Sequence, residues 1–182
     1  MRRHLYLSFG FILLSLFVTA SQQQKPEGKA IVRRTVKVHV NYKGSGRVDT
    51  QHKIFIFLFN SPGFVRSFWG SFRGELPPDV WAHDIGNAMV AIKAAVSKDE
   101  IVTLPVITSS PAVYAAVSYD PSGGYDGHSG PPPSGSSLRM YSRMEESVGP
   151  AGSFKGRAPA PISVEAGTIQ IEISFDDSEK MP

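Results

Sequence analysis

Beyond residue 20 the sequence predicts an all-β protein, an antiparallel β-sandwich of about seven strands with long irregular loops. Three observations predict it. Residues 21–182 hold four leucines against fifteen valines and eleven isoleucines, and valine and isoleucine favour strands where leucine favours helices. Apolar residues recur with a period of two in several short runs, the mark of a strand with one buried and one wet face. Clusters of Gly, Pro, Asn and Ser break those runs at short intervals. The remaining length suits one domain with its own core.

Residues 1–20 stand apart. Met1-Arg2-Arg3-His4 is basic, Leu5 to Val18 is apolar but for Ser8, Gly10 and Ser15, and Val18-Thr19-Ala20 offers small residues for cleavage. This is the pattern of a secretory signal peptide, with cleavage expected after Ala20. The apolar run, roughly 14 residues, is short against the roughly 20 of a spanning helix. Membrane contact is therefore expected only through the leader, and only if it stays uncleaved. The arginine pair leaves general secretory and twin-arginine export both open. The chain has no cysteine, so no lipidated cysteine can anchor it and no disulfide can staple it. That combination fits a bacterial periplasmic or extracellular protein better than a small disulfide-bonded secreted domain.

The strands follow in order. Residues 21–33 read as a polar, flexible start, and the β-domain as 34–177. Val36, Val38, Val40 and Tyr42 alternate with Lys37, His39 and Asn41. Ile54 to Phe59 is continuously apolar, as a strand buried on both faces must be. Ala88 to Val96 fits a helix or a strand, and the strand is favoured because its neighbours are strands. Glu100–Pro105 and Val113–Tyr119 are the next two. Residues 120–137 contain 14 Gly, Pro or Ser among 18, and this loop character runs on to Pro161. A loop of that length is functional or mobile. Ile162-Ser163-Val164 and Ile169 to Phe175 alternate around Glu165-Ala166-Gly167-Thr168, which reads as a hairpin. Residues 178–182 are left as a tail.

This order of motifs resembles exported bacterial β-sandwich domains of the transthyretin-like, or carboxypeptidase-regulatory-like (prealbumin-like), class. The resemblance rests on Gly44-Ser45-Gly46-Arg47 before Ile54–Phe59 and Asn60-Ser61-Pro62, then Pro111 to Val117 leading into Tyr119-Asp120. Ala158 to Val164 with Ala166-Gly167, and Phe175-Asp176-Asp177, complete it. It spans roughly 34–177 and implies a non-catalytic binding or structural module. Pro111-Ala112-Val113-Tyr114 stands where such domains often carry Gly-Thr-Tyr-Tyr. Pro121 to Asp126 replaces their compact Asp/Gly/Asn loop, which weakens any inherited ion site.

Several constellations bear on function. The net charge is +3, from 19 basic and 16 acidic side chains. Removing Arg2 and Arg3 leaves 17 against 16, so bulk charge points to no nucleic-acid partner. Asp120, Asp126 and His128 could contribute to a calcium loop, but aspartates beside glycine more often bond their own backbone in turns. Gly127-His128-Ser129-Gly130-Pro131 half resembles a nucleophile elbow. Pro131 replaces the second glycine, and Pro132-Pro133 forbids the helix such an elbow needs. His83-Asp84 and Glu145-Glu146 read as solvated pairs. No cofactor or metal motif is present.

The stretch 64–81 is the candidate ligand-binding surface. Phe64, Phe68, Trp69, Phe72 and Trp81 are interleaved with Arg66 and Arg73. Such a stretch either folds over an open end of the sandwich and completes its core, or presents rings that stack on sugars or on a partner's apolar surface. The expected function is a non-catalytic exported module that binds a carbohydrate or an envelope protein. The alternative is a structural or assembly protein without a discrete ligand.

Overall fold

The computed structural model describes residues 31–63, 88–142, 159–165 and 167–181. Eight strands follow in chain order: β1 (Val32–Tyr42), β2 (Ile54–Phe59), β3 (Met89–Ala95), β4 (Asp99–Thr108), β5 (Ala112–Tyr119), β6 (Ser137–Met140), β7 (Ile162–Ser163) and β8 (Thr168–Phe175). One sheet runs β4-β1-β8, and the other runs β3-β2-β5-β6 with β7 beside β5. The protein is thus an all-β sandwich. At its upper end β1, β3, β5 and β8 finish and β2, β4 and β6 begin. Among the described residues no helix is long and apolar enough to cross a membrane.

The period-two pattern places the core. Val36, Val38, Val40 and Tyr42 of β1 face Ile54, Ile56 and Leu58 of β2 across the two sheets. Val102, Leu104 and Val106 of β4, Val113, Ala115 and Val117 of β5, and Ile171, Ile173 and Phe175 of β8 complete this layer. Each fully buried aliphatic side chain contributes about 1.5–3 kcal/mol. The continuous run of β2 is buried at all six positions. Its other face gives Phe55, Phe57 and Phe59 to a second cluster, with Ala116, Tyr125, Leu138, Met140 and Met181.

Four features depart from the sequence reading. First, β8 pairs with β1 in parallel, from Thr35↔Thr168 to Tyr42↔Phe175, so the sandwich is not wholly antiparallel. Second, Ile162–Val164 and Ile169–Phe175 are not the arms of a hairpin. β7 pairs with β5 while β8 pairs with β1, so residues 164–168 carry the chain from one sheet to the other. Alternation states which face a strand buries, and it is silent on the neighbouring strand. Third, the expected loop 120–161 contains β6, which pairs with the upper half of β5 through Ala116↔Met140 to Tyr119↔Ser137. Residues 143–158 of that stretch lie outside the described residues. Fourth, residues 178–181, expected as a tail, pack on β6. Leu138 N–H donates to the Glu179 carbonyl at 2.9 Å, Met181 N–H to that of Ser136 at 2.7 Å, and Gly135 N–H to that of Met181 at 2.8 Å.

The strand expected to stop at Pro105 continues to Thr108. Tyr42 N–H donates to the Lys98 carbonyl, and the register Val32↔Thr108 keeps this parity along the pair. Even-numbered residues of β4 therefore bond β1, and odd-numbered ones, Pro105 included, turn their backbone outward. The missing N–H of Pro105 removes no ladder bond, as proline in an edge strand requires.

Candidate functional site

The upper end gathers the loops 43–53, 96–98 and 120–136 and the C-terminal residues 176–181. Asp177 is its centre. Tyr42 Oη donates to Asp177 Oδ1 at 2.6 Å and Ser137 Oγ donates to the same atom at 2.7 Å. Ser45 donates to Oδ2 through its N–H at 3.0 Å and its hydroxyl at 3.2 Å. The carboxylate thus ties the ends of β1, β6 and β8 to the first loop. Partial burial pushes its pKa up, but the hydrogen bonds from Tyr42, Ser137 and Ser45 outweigh burial and hold it at about 2. Burial and the bond to Asp177 push the Tyr42 hydroxyl well above the usual phenol range. Its ring lies 4.7 Å from that of Tyr119 and 5.0 Å from that of Phe175. Lys98 Nζ sits 5.4 Å from the Tyr42 ring centroid, at cation–π distance, and donates to the Gly44 carbonyl at 2.7 Å. Gly44 and Gly46 run flat against the Tyr42 and Tyr119 rings, where a Cβ would clash.

The other carboxylates of this end are also held by the protein itself. Asp49 accepts N–H bonds from Gln51 and His52, both at 2.8 Å, and pairs with Arg47 Nε at 2.7 Å. The backbone N–H groups of His52 and Gln51 hold its pKa at about 2. Asp120 is 2% exposed and accepts from the Ser122 hydroxyl and from the N–H groups of Ser122, Gly124 and Tyr125. Burial raises its pKa, but those bonds lower it more. Asp126 accepts from His128 N–H at 2.7 Å and Ser129 N–H at 2.8 Å. Of the calcium and turn readings, the geometry is that of turns. Among the described residues no three His, Cys, Asp or Glu side chains are placed to hold a metal ion.

The loop 120–136 folds down over the outer face of β2. Tyr125 meets the Phe55 ring edge-on at 5.0 Å and the Phe57 ring at 6.5 Å. Its hydroxyl donates to the Gly130 carbonyl at 2.7 Å. Gly127 follows at φ 83°, pressed so closely on the sheet that a Cβ would lie 2.5 Å from Ile92 Cδ1 and 2.8 Å from Phe55 Cδ1. Replacement by alanine forces both a left-handed backbone on a residue with a Cβ and a shift of the lid. Gly127→Ala is expected to cost about 2–4 kcal/mol in urea unfolding; a loss under about 0.5 kcal/mol would show that the lid does not seat as described.

The outer face of β4-β1-β8 is polar. His39 Nε2 lies 2.6 Å from Asp99 Oδ1, and His39 Nδ1 lies 4.0 Å from Glu172 Oε2. Ile101 and Ile107 are exposed on the same face, at 53% and 56%.

Phe64, Phe68, Trp69, Phe72 and Trp81 lie outside the described residues, as do the leader, His83-Asp84 and Glu145-Glu146. The strands that flank residues 64–87 are described. β2 ends and β3 begins at the lower end of the sandwich. Residues 143–158 are likewise bracketed there by β6 and β7. The long loop expected from residue 120 onward is therefore only partly described. Its part from 120 to 136 belongs to the upper end and the outer face of β2, and its residues 143–158 lie outside the described residues. Sequence reasoning missed Asp177 as a junction. Its signal was Phe175-Asp176-Asp177 directly after the last alternating strand.

The chain matches no family model, no curated protein and no solved structure.

Proposed function

We propose that the chain is a non-catalytic exported module that binds a carbohydrate or a protein partner in the cell envelope or outside the cell, using Phe64, Phe68, Trp69, Phe72 and Trp81. One observation supports this reading above the others: the strands that bracket the aromatic stretch in sequence, β2 and β3, end and begin at the lower end of the sandwich. The upper end offers little to a ligand, since Asp49, Asp120, Asp126 and Asp177 spend their acceptors on the protein's own donors. Loops that project from one end of a rigid sandwich are a common setting for recognition. The resemblance to transthyretin-like and carboxypeptidase-regulatory-like domains supports a non-catalytic role, and the secretory pattern of residues 1–20 supports export.

The test is carbohydrate-array and pull-down binding with Trp69→Ala and Trp81→Ala. Loss of a stacking ring is expected to weaken binding roughly tenfold or more, while Lys98→Ala at the upper end leaves it unchanged. If both tryptophan variants stay folded and keep every interaction, the aromatic stretch is not the contact.

A further inference from the structure

The four outer strand edges of the two sheets are not alike. β4 carries Pro105, which deprives its outer edge of a donor. β6 is met by residues 179–181 through Leu138 N–H and Ser136 C=O. β3 carries the exposed Lys93 and pairs with β2 through an irregular register at Leu58/Phe59. Lysine, proline, irregular pairing and covering segments are the usual ways of blunting an edge. Among the described residues β8 has none of them. Its eight residues, TIQIEISF, contain no proline and no lysine, and its ladder to β1 is unbroken from Thr168 to Phe175. Among the described residues no strand pairs with its outer side.

The direction of its backbone groups is fixed. Lys43 N–H donates to the Phe175 carbonyl at 2.8 Å, so odd-numbered residues of β8 bond toward β1. Thr168, Gln170, Glu172 and Ser174 turn their N–H and C=O groups away. The first three are exposed and Ser174 is half-buried.

We propose that β8 is a self-association edge whose occupant is the β8 strand of a second copy of this chain, antiparallel about a two-fold axis at Ile171. The argument for a second copy is self-complementarity. Among two-fold registers, this one alone pairs all four outward residues, with Thr168 opposite Ser174 and Gln170 opposite Glu172 of the second copy. It supplies about eight backbone hydrogen bonds. The sole charge of the strand faces a glutamine amide, whereas shifting the axis to residue 172 sets Glu172 against itself. With 17 basic and 16 acidic side chains beyond residue 20, two copies do not repel in bulk. The product is one continuous sheet, β4-β1-β8 joined to its symmetry copy, and an isologous interface.

The test uses light scattering and sedimentation equilibrium of the protein from about 1 μM to about 1 mM. A concentration-dependent dimer is expected. Gln170→Glu places a glutamate opposite Glu172 twice per dimer and is expected to raise the dimer Kd roughly tenfold. Adding Glu172→Lys turns both contacts into opposite-charge pairs and is expected to restore the Kd to within about threefold of the parent. Far-UV circular dichroism checks folding. Should Gln170→Glu disturb it, Gln170→Pro removes an outward N–H and no bond to β1, and it must dissociate the dimer. A monomer at all concentrations overturns the proposal. So does a dimer indifferent to Gln170→Glu, or a double variant as weak as the single one, since either places another surface or another partner at work. None of these outcomes touches the binding role of Trp69 and Trp81, which is read out separately.

Discussion

Tyr125→Ala is expected to lower stability by about 3–5 kcal/mol, the cost of deleting a buried aromatic ring that cannot be refilled. The ring is 8% exposed and is the contact through which a loop rich in glycine, proline and serine covers Phe55 and Phe57. Nothing in the composition of that loop provides a second apolar anchor of its size. Its other ties include the close approach of Gly127, the turn bonds of Asp120 and the bond from Gly135 N–H to the Met181 carbonyl, none of which buries a side chain of that size. Tyr125→Phe separates the two contributions. It keeps the ring and loses only the hydroxyl bond to Gly130, a loss of about 1 kcal/mol. Urea unfolding measures both, and hydrogen exchange over residues 121–136 should rise in the alanine variant alone. If Tyr125→Ala costs no more than Tyr125→Phe, the ring does not hold the lid.

Asp177→Ala should cost about 2–4 kcal/mol at pH 7, because it leaves the Tyr42 and Ser137 hydroxyls without their acceptor and frees the first loop. Its pH dependence distinguishes this role from simple packing. The folded pKa, about 2, lies below the unfolded value of about 3.9. The group therefore contributes stability that is fully present above the unfolded value and is lost as pH falls through the folded one. Between about pH 5 and pH 2 the parent should lose stability faster than Asp177→Asn, so the gap between the two narrows with acid. Asp49, Asp120 and Asp126 have depressed values too, but they are common to both proteins and cancel in the difference. A gap of the same size at pH 7 and pH 2.5 would remove Asp177 as a charged junction.

These two residues also mark where legibility stops. The alternation of Val36, Val38, Val40 and Tyr42 and of Ile169, Ile171, Ile173 and Phe175 states directly which side chains are buried. The unbroken run Ile54–Phe59 states that both faces of its strand are covered. Neither pattern says what does the covering. For Phe55 and Phe57 one cover is Tyr125, in a segment whose composition reads only as loop. β6 was invisible for a related reason: Ser137-Leu138-Arg139-Met140 contains no β-branched residue, so its strand state comes from β5 on one side and residues 179–181 on the other. The candidate site divides the same way. Aspartate–glycine spacing was enough to expect turns at Asp120 and Asp126, but Asp177 acquires its role only where β1, β6 and β8 converge.

The sequence by itself determined the class of the fold and the inward set of each long strand, because burial in a sheet follows a period of two that is written locally. Only the tertiary structure decided which strands are neighbours, that β8 runs parallel to β1, and that among the described residues no strand pairs with its outer side. Those depend on pairings between distant residues, from Tyr119 with Ser137 to Val36 with Ile169, and no local pattern encodes them.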